Sequence, residues 1–186
     1  LPRFRVVFAV LGLLAVASAL RAAPVTVLAT GDTQGHVGPC ASCPMTTGLG
    51  GLARRGTLID RAAAEGATLV LDAGHGLMGG ESYATEGRII AVGYQAIGYD
   101  AVNLGYRDFR LGKQATLDAV AAGNLPAVSA NLYHAGDHEG EGNSGRGERL
   151  FDPFVVVERA GRRFALVGLT EQPAGLDALP HLKRQL

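Results

Sequence analysis

The sequence contains 186 residues, which is enough for one domain but not comfortably for two. Nearly half of the residues are hydrophobic (47%) and 27 are glycine, a composition typical of a globular α/β chain with many tight loops. The formal net charge is zero at pH 7, so long-range attraction to nucleic acid or to an anionic membrane is not expected.

The first 23 residues have the composition of a secretory signal peptide. Two arginines precede an apolar run over residues 6–17, and small residues follow as far as Ala23. This run is shorter than the roughly 20 residues that a membrane span requires. We therefore expect cleavage between Ala19 and Ala23, export to the periplasm or the extracellular space, and no stable membrane span afterwards. The sequence begins with Leu1 and ends at Leu186 without a terminating signal, so an incomplete reading frame is expected.

Apolar strand-like runs alternate with segments of helical periodicity between residues 25 and 131. In chain order, the pattern predicts strand Val25–Thr30, helix Leu52–Ala64, strand Thr68–Ala73, helix Glu86–Ile97, strand Asp100–Leu104, helix Lys113–Ala122 and strand Pro126–Asn131. The second helix is expected to face inward with Ile89, Ile90, Val92 and Ile97. Near-continuous apolar strands that alternate with helices indicate a largely parallel sheet covered on both faces.

The C-terminal part of the pattern differs from this alternation. Phe154–Glu158 and Arg163–Gly168 flank a turn at Gly161, which predicts a β-hairpin. The preceding loop, His134–Glu141, combines glycine with charge and is expected to be a solvated insertion; cation binding through its carboxylates and imidazoles is the alternative. The sequence thus predicts one α/β domain with a mostly parallel sheet, flanking helices and a terminal hairpin.

Residues that carry chemistry follow each of the predicted strands. In a parallel sheet with right-handed crossovers, the carboxyl ends of successive strands open onto one edge, where α/β proteins bind ligands. The segments at these ends are Gly31–Cys43, Gly74–Gly80, Gly105–Phe109 and Asn131–His134. We expect them to converge in space and to form a candidate site.

These segments resemble the catalytic domain of the exported 5'-nucleotidase and UDP-sugar hydrolase family, within the calcineurin-like metallophosphoesterases. That family typically carries Asp-x-His, Gly-Asp, Gly-Asn-His-Glu and Ser-Ala-Asn after its first four strands. The corresponding stretches here read Asp32-Thr33-Gln34, Gly74-His75, Gly105-Tyr106-Arg107-Asp108 and Ser129-Ala130-Asn131. The resemblance covers residues 25–170 and implies a metallophosphoesterase-like α/β sandwich over residues 24–186, incomplete at its C-terminus. It also implies hydrolysis of a phosphoester, with a nucleotide as the candidate substrate.

The resemblance further implies two divalent metal ions, with zinc and manganese as the candidates. The metal positions that it implies are Asp32, Gln34 and His75, and His36 in the same loop is a further candidate ligand. Gln34 replaces a family imidazole, and His75 stands where a bridging carboxylate is expected. For Asp32 the alternative is a turn-capping role, and for His36 it is the ordering of its own loop. The family's remaining histidine ligands come later in its catalytic domain.

The other candidate residues concern substrate binding and catalysis. Arg107 is expected to bind phosphate through its planar guanidinium, together with Tyr106 and Asn131. His75 lies between two glycines, on what we expect to be an exposed rim, and is a candidate ligand or acid–base group. Arg107 and Asp108 are the further catalytic candidates, and a plain surface pair between these two residues is the alternative.

The two cysteines, Cys40 and Cys43, have C-x-x-C spacing in a loop that contains proline and glycine. In an exported protein such a pair is expected to form a disulfide. A zinc site with His36 and His75 is the alternative, because a Cys₂His₂ set suits zinc. Redox-active or free thiols are a third interpretation. Pro44 follows Cys43 where attachment of a c-type haem requires histidine, which argues against haem.

Two functions from different classes follow from these residues and the resemblance. The first is an exported metal-dependent phosphoester hydrolase with a small phosphorylated substrate such as a nucleotide. In this hypothesis Asp32 holds a metal, His75 is a ligand or acid–base group, and Arg107 binds phosphate. The second is a non-catalytic periplasmic binding or accessory protein that retains the fold, with a structural zinc or a disulfide.

Overall fold

A computed structural model describes residues 23–39, 49–135 and 146–171 of the chain. Four strands form a parallel sheet in the order β1-β2-β3-β4, with β1 Val25–Thr30, β2 Ala67–Asp72, β3 Ala101–Asn103 and β4 Ala127–Val128. The predicted parallel sheet is confirmed. β4 ends earlier than predicted because the next residues bond to segments outside this sheet: Ser129 N–H donates to Asp152 O, and Ala130 N–H donates to Gly168 O.

Three α-helices connect these strands: α1 Leu52–Glu65, α2 Arg88–Ile97 and α3 Lys113–Gly123. Because the strands lie in sequential order and parallel crossovers are right-handed, all three helices cover the same face of the sheet. α2 begins two residues later than predicted, after a 3₁₀ helix at Gly80–Thr85 and Gly87 in the left-handed conformation. The buried core between helices and sheet includes Leu52, Ile59, Val70, Ile90, Val102 and Ala119.

The buried face of α2 differs from the prediction. Tyr94 is fully buried together with Ile90 and Ala91, whereas Ile89 and Val92 are 42% and 51% exposed. The expectation that Ile89 and Val92 face inward was therefore wrong. The physical reason is Tyr94, whose hydroxyl has buried hydrogen-bond partners. The helix therefore buries the side that carries Tyr94 and exposes the side that carries Ile89 and Val92.

The β-hairpin that the sequence predicted lies on the side of the sheet opposite the helices. It consists of β7 Phe154–Arg159 and β8 Arg162–Val167. The two turn residues, Ala160 and Gly161, both have positive φ, which is the geometry that two-residue hairpin turns favour. An open cleft of about 450 Å³ separates part of the hairpin from the sheet, so this face is covered only in part.

A second antiparallel pair was not predicted. β5 Tyr133–Ala135 pairs with β6 Arg146–Arg149. His134 and Ala135 therefore belong to a strand and not to the solvated insertion expected over His134–Glu141. Residues 136–141 of that loop lie outside the described residues.

Within the part of the chain that the structure describes, no helix is long and apolar enough to cross a membrane. Residues 1–22 of the predicted leader lie outside the described ranges. Cleavage and export therefore stay predictions of the sequence.

Candidate functional site

The loop after β1 is joined to the loop after β2 by backbone hydrogen bonds. Asp32 N–H donates to Gly74 O at 2.8 Å, and Gln34 N–H donates to His75 O at 2.8 Å. These bonds continue the pairing of β1 with β2 beyond the strand ends. The convergence of these two loops, which the topology predicted, is thus present.

Three residues in these two loops have strained backbones. Asp32, Gln34 and His75 have φ values of 51°, 49° and 59°, in the left-handed region that residues other than glycine seldom occupy. Strained conformations of this kind cluster at functional sites. The backbone therefore marks the same edge of the sheet as the sequence motifs.

His75 lies at the centre of this edge. Its Nδ1 is 3.7 Å from Asp32 Oδ1, and its Nε2 lies against the Glu171 carboxylate without a well-aligned hydrogen bond. The Tyr106 ring packs edge-on to the imidazole at 5.0 Å between centroids. The side chain of His75 is only 19% exposed. The expected exposed rim position is therefore corrected, because Tyr106 and Glu171 cover the ring.

Gly105 leaves the space that the imidazole occupies. A Cβ built on Gly105 would overlap Cδ2 and Nε2 of His75. The φ of Gly105 is −88°, which any residue can adopt. The glycine is thus required by the close approach of the ring and not by the local backbone.

Asp108 holds the loop after β2 and the loop after β3 together. Its Oδ2 accepts hydrogen bonds from the backbone N–H groups of His75 (2.8 Å) and Gly105 (2.9 Å), and its Oδ1 accepts one from Leu77 at 2.8 Å. Burial raises the pKa of this carboxyl to about 6, although the three backbone donors act in the opposite direction. Asp108 is fully buried, so it has no access to a ligand. The residue was expected to be catalytic; its contacts give it a positioning role instead.

Arg107 extends across the same edge from the 3₁₀ helix Tyr106–Phe109. Its Nε donates to the Tyr106 hydroxyl at 3.1 Å, and its Nη1 lies 3.4 Å from Asp32 Oδ1. The hydrogen bond with Tyr106, together with the negative charges of Asp32 and Glu171, raises the pKa of Arg107. The guanidinium is therefore a fixed positive charge between two carboxylates. We call Asp32, His75, Arg107 and Glu171 the edge cluster.

Glu171 is the member of the edge cluster that no sequence motif had indicated. The preceding residue, Thr170, is buried; its hydroxyl donates to Leu104 O at 2.6 Å, and its N–H donates to Asn131 Oδ1 at 2.8 Å. These bonds fix the chain after β8 so that Glu171 meets His75. Its position four residues after the end of β8 was the only signal in the sequence.

Asn131 was expected to contact substrate. Its Oδ1 accepts from Thr170 N–H, and its Nδ2 donates to Thr170 O at 2.7 Å. The amide also accepts from the Ser129 hydroxyl at 3.2 Å. Both ends of the amide are thus used inside the protein, and Asn131 ties the end of β4 to the chain after β8.

The candidate metal ligands do not converge. Gln34 donates its amide N–H to Asp32 Oδ1 at 3.2 Å, and the two nitrogens of His75 face different carboxylates. His36 instead pairs at 3.3 Å with Glu81, which lies on the 3₁₀ helix before α2. Among the described residues, no three His, Cys, Asp or Glu side chains form a group that could hold a metal ion. These residues therefore do not fit the pair of divalent ions that the resemblance implies.

The predicted pair Cys40 and Cys43 lies outside the described residues. The disulfide, the zinc site and the redox-active pair all stay predictions of the sequence.

A buried polar network, which no sequence pattern had indicated, lies directly beneath the edge cluster. Asp72, 3% exposed, accepts hydrogen bonds from the hydroxyls of Tyr94 (3.0 Å) and Thr30 (2.5 Å). The Tyr94 hydroxyl also contacts Thr33 Oγ1 at 2.9 Å and accepts from Arg55 at 3.1 Å. Burial, followed by the charge of Asp72, raises the pKa of Tyr94. The network thus links α1 and α2 to the loop that carries Asp32.

Comparisons with known proteins agree with this fold. The chain is 30% identical over 128 residues to a 5'-nucleotidase of Vibrio cholerae, an alignment that covers 66% of the chain and 22% of the relative. It is also 30% identical over 152 residues to the protein UshA of Escherichia coli, with 78% and 25% covered. The chain thus spans about a quarter of the length of these curated relatives. No family model matches the chain.

Solved structures give the same result. The fold matches the crystal structure of a 5'-nucleotidase precursor from Thermus thermophilus with a TM-score of 0.61 and 30% identity, covering 78% of this chain and 28% of that one. It also matches the NAD nucleotidase of Haemophilus influenzae with a TM-score of 0.62, covering 78% and 26%; at 21% identity this match supports the fold alone.

Proposed function

The chain belongs to the 5'-nucleotidase and UshA family of metallophosphoesterase-fold proteins, and from that premise we propose that it binds a small phosphorylated molecule, such as a nucleotide, at the edge cluster. The single observation that carries the proposal is the position of Arg107. Its side chain is 31% exposed and lies at the carboxyl edge of the sheet, beside Asp32 and His75. Ligands of open α/β sheets bind at this edge.

The hydrogen-bonding capacity of Arg107 supports phosphate as the group that it binds. A guanidinium has five N–H donors in a planar fork that matches the oxygens of a phosphate. Within the described residues, one donor at Nε is used by Tyr106 and one at Nη1 by Asp32. Both donors of Nη2 and one of Nη1 stay available for a ligand. Tyr106 fixes the fork and so lowers the entropic cost of binding.

Hydrolysis of a phosphoester is the activity that family membership favours. Proteins of this family generally use divalent metal ions, which clamp the phosphate and activate water. The described donor set does not fit such a pair of ions. We therefore assign Arg107 and His75 to the binding and orientation of the phosphate, and we propose no chemical step through a metal.

A non-catalytic binding or accessory protein is the second candidate function. The observation that favours it is the pairing inside the edge cluster, where Asp32 contacts Arg107 and His75 contacts Glu171. A metal ion would have to displace these partners before it could bind either side chain.

The experiment that tests the proposal measures binding and turnover separately. Calorimetry on the full chain would measure the affinity for adenosine 5'-monophosphate and inorganic phosphate, with added zinc or manganese and with a chelator. Release of phosphate from a panel of nucleotides would be measured under the same conditions. Binding with turnover supports the hydrolase, and binding without turnover supports the accessory protein. If neither probe binds under any of these conditions, the proposal is wrong.

A further inference from the structure

We infer that the Arg107 guanidinium takes the place of a divalent cation in the edge cluster, so that phosphate binding at this site is independent of metal. This inference rests on the proposed function, because it concerns how the same site holds the same ligand. It also goes beyond it, because in a two-metal site the ions themselves clamp the phosphate.

The first argument is the distribution of charge. Arg107 Nη1 lies 3.4 Å from Asp32 Oδ1, the oxygen that also accepts from Gln34 and lies 3.7 Å from His75 Nδ1. A cation bound at this oxygen would lie next to the guanidinium and be repelled by it. Arg107 cannot lose its charge at any pH that the fold survives. The negative charge of Asp32, the first expected metal ligand, is thus already balanced by the permanent positive charge of Arg107.

The second argument is the arrangement of the imidazole. Nδ1 of His75 faces Asp32, and Nε2 lies against Glu171, so the ring separates the two carboxylates. A metal ion needs several donors that point to one position. Here the donors point toward protein partners on opposite sides of a ring. The described residues therefore form a charge-paired arrangement and not an open coordination sphere.

The two alternatives predict opposite effects for Asp32→Asn. If Asp32 holds a metal, loss of its charge weakens phosphate binding. If Asp32 only pairs with Arg107, the same change removes repulsion of the phosphate and frees one guanidinium donor, so binding becomes stronger. Asparagine accepts the left-handed backbone that this position requires better than most residues. The substitution therefore changes the charge and leaves the conformation.

The test measures the affinity of the full chain for inorganic phosphate and adenosine 5'-monophosphate by calorimetry at low salt. For the wild type we expect the same Kd, within about twofold, with and without a chelator. Asp32→Asn should tighten binding by roughly three- to tenfold, and added salt should reduce this gain. Asp60→Asn is the matched control, because Asp60 is exposed on α1 and its substitution removes the same charge. It should leave Kd unchanged.

A second set of variants tests Arg107 itself. Arg107→Gln should weaken binding at least about tenfold, and Arg107→Lys should give an intermediate loss because it keeps the charge without the fork. Arg110→Gln is the control for loss of a positive charge, since Arg110 lies three residues later and contacts Tyr83. Circular dichroism would verify that each variant is folded.

The outcomes separate this inference from the proposed function. Binding that disappears with the chelator and returns with zinc or manganese overturns the inference and leaves the proposed function intact. Weaker binding by Asp32→Asn, or unchanged binding by Arg107→Gln, also overturns it. A wild type that binds neither probe, with or without metal, overturns the proposed function itself.

Discussion

The carboxylate of Asp108 accepts a hydrogen bond of 2.8 Å from the backbone N–H of His75, 33 residues earlier in the chain. The same carboxylate also holds Gly105 and Leu77, so one buried side chain fixes the two loops that meet beneath the edge cluster. The geometry of His75 therefore depends on a residue that no ligand can reach.

Asp108→Asn should destabilise the protein by about 2–4 kcal/mol. The amide keeps one oxygen but turns its NH₂ group toward backbone N–H groups, which leaves at least one buried donor unpaired. Unfolding in urea, monitored by circular dichroism, measures the change. Asp60→Asn, on the exposed surface of α1, is the control and should change the free energy of unfolding by less than about 0.5 kcal/mol. A loss for Asp108→Asn as small as that of the control contradicts the positioning role.

The raised pKa of Asp108 predicts a specific pH dependence. Its value of about 6 in the folded protein lies above the usual value near 3.9 for an unfolded chain, so the folded state binds more protons between these pH values. The contribution of Asp108 to the free energy of unfolding should therefore fall by about 3 kcal/mol as pH rises from 4 to 6, and stay constant above.

The measurement is the difference in stability between the wild type and Asp108→Ala at several pH values. This difference should be larger at pH 4.5 than at pH 7. The ¹³C chemical shift of the Asp108 carboxyl gives an independent midpoint, which should lie near 6. A midpoint below 4 would show that the three backbone donors outweigh the burial.

Gly105→Ala should displace the His75 imidazole. The added Cβ would overlap the ring, while the backbone of Gly105 suits alanine, so the effect is steric alone. We expect a loss of about 1–3 kcal/mol in stability and weaker phosphate binding. Gly66→Ala is the matched control, because Gly66 has extended backbone and no atom within 4 Å of the new Cβ. Equal stabilities of the two variants would mean that the ring can move away at no cost.

Tyr94→Phe should weaken the network beneath the edge cluster. The change removes the hydroxyl that donates to Asp72 and contacts Thr33, and it leaves Asp72 buried with fewer partners. We expect a loss of roughly 1–3 kcal/mol in the free energy of unfolding. Tyr83→Phe serves as the control, because the Tyr83 side chain is 42% exposed and its hydroxyl has water as an alternative partner. Hydrogen exchange at the Gln34 and Gly35 amides, which donate to His75 O and Gly76 O, should accelerate only in Tyr94→Phe.

The parallel sheet and the hairpin could be predicted because local patterns determine them. β1, β2 and the turn at Gly161 lie where apolar runs and glycines indicated. The residues Asp32, His75 and Arg107 could be brought to one edge because parallel topology leaves few alternatives. The predicted strand order was therefore enough to locate most of the candidate site.

The remaining features depend on contacts between distant segments. A sequence cannot distinguish a buried acid such as Asp108 from an exposed catalytic one, since burial is decided by packing. Glu171 meets His75 only because Thr170 is anchored to Asn131, and no local pattern encodes that bond. The prediction for the inward face of α2 was wrong for the same reason, because Tyr94 is held inside by a hydrogen bond to Asp72 on β2.

Asp32, Gln34 and His75 have left-handed backbones, and these conformations lower the stability of the protein at the edge where the candidate site lies. Each such conformation costs on the order of 1 kcal/mol in a residue with a side chain, and glycine would relieve most of it. The relief should be largest for Gln34→Gly, because aspartate tolerates this region better than glutamine, and this change also removes the amide that donates to Asp32. An engineer who selected variants for thermal stability alone would therefore erase the site before damaging the fold.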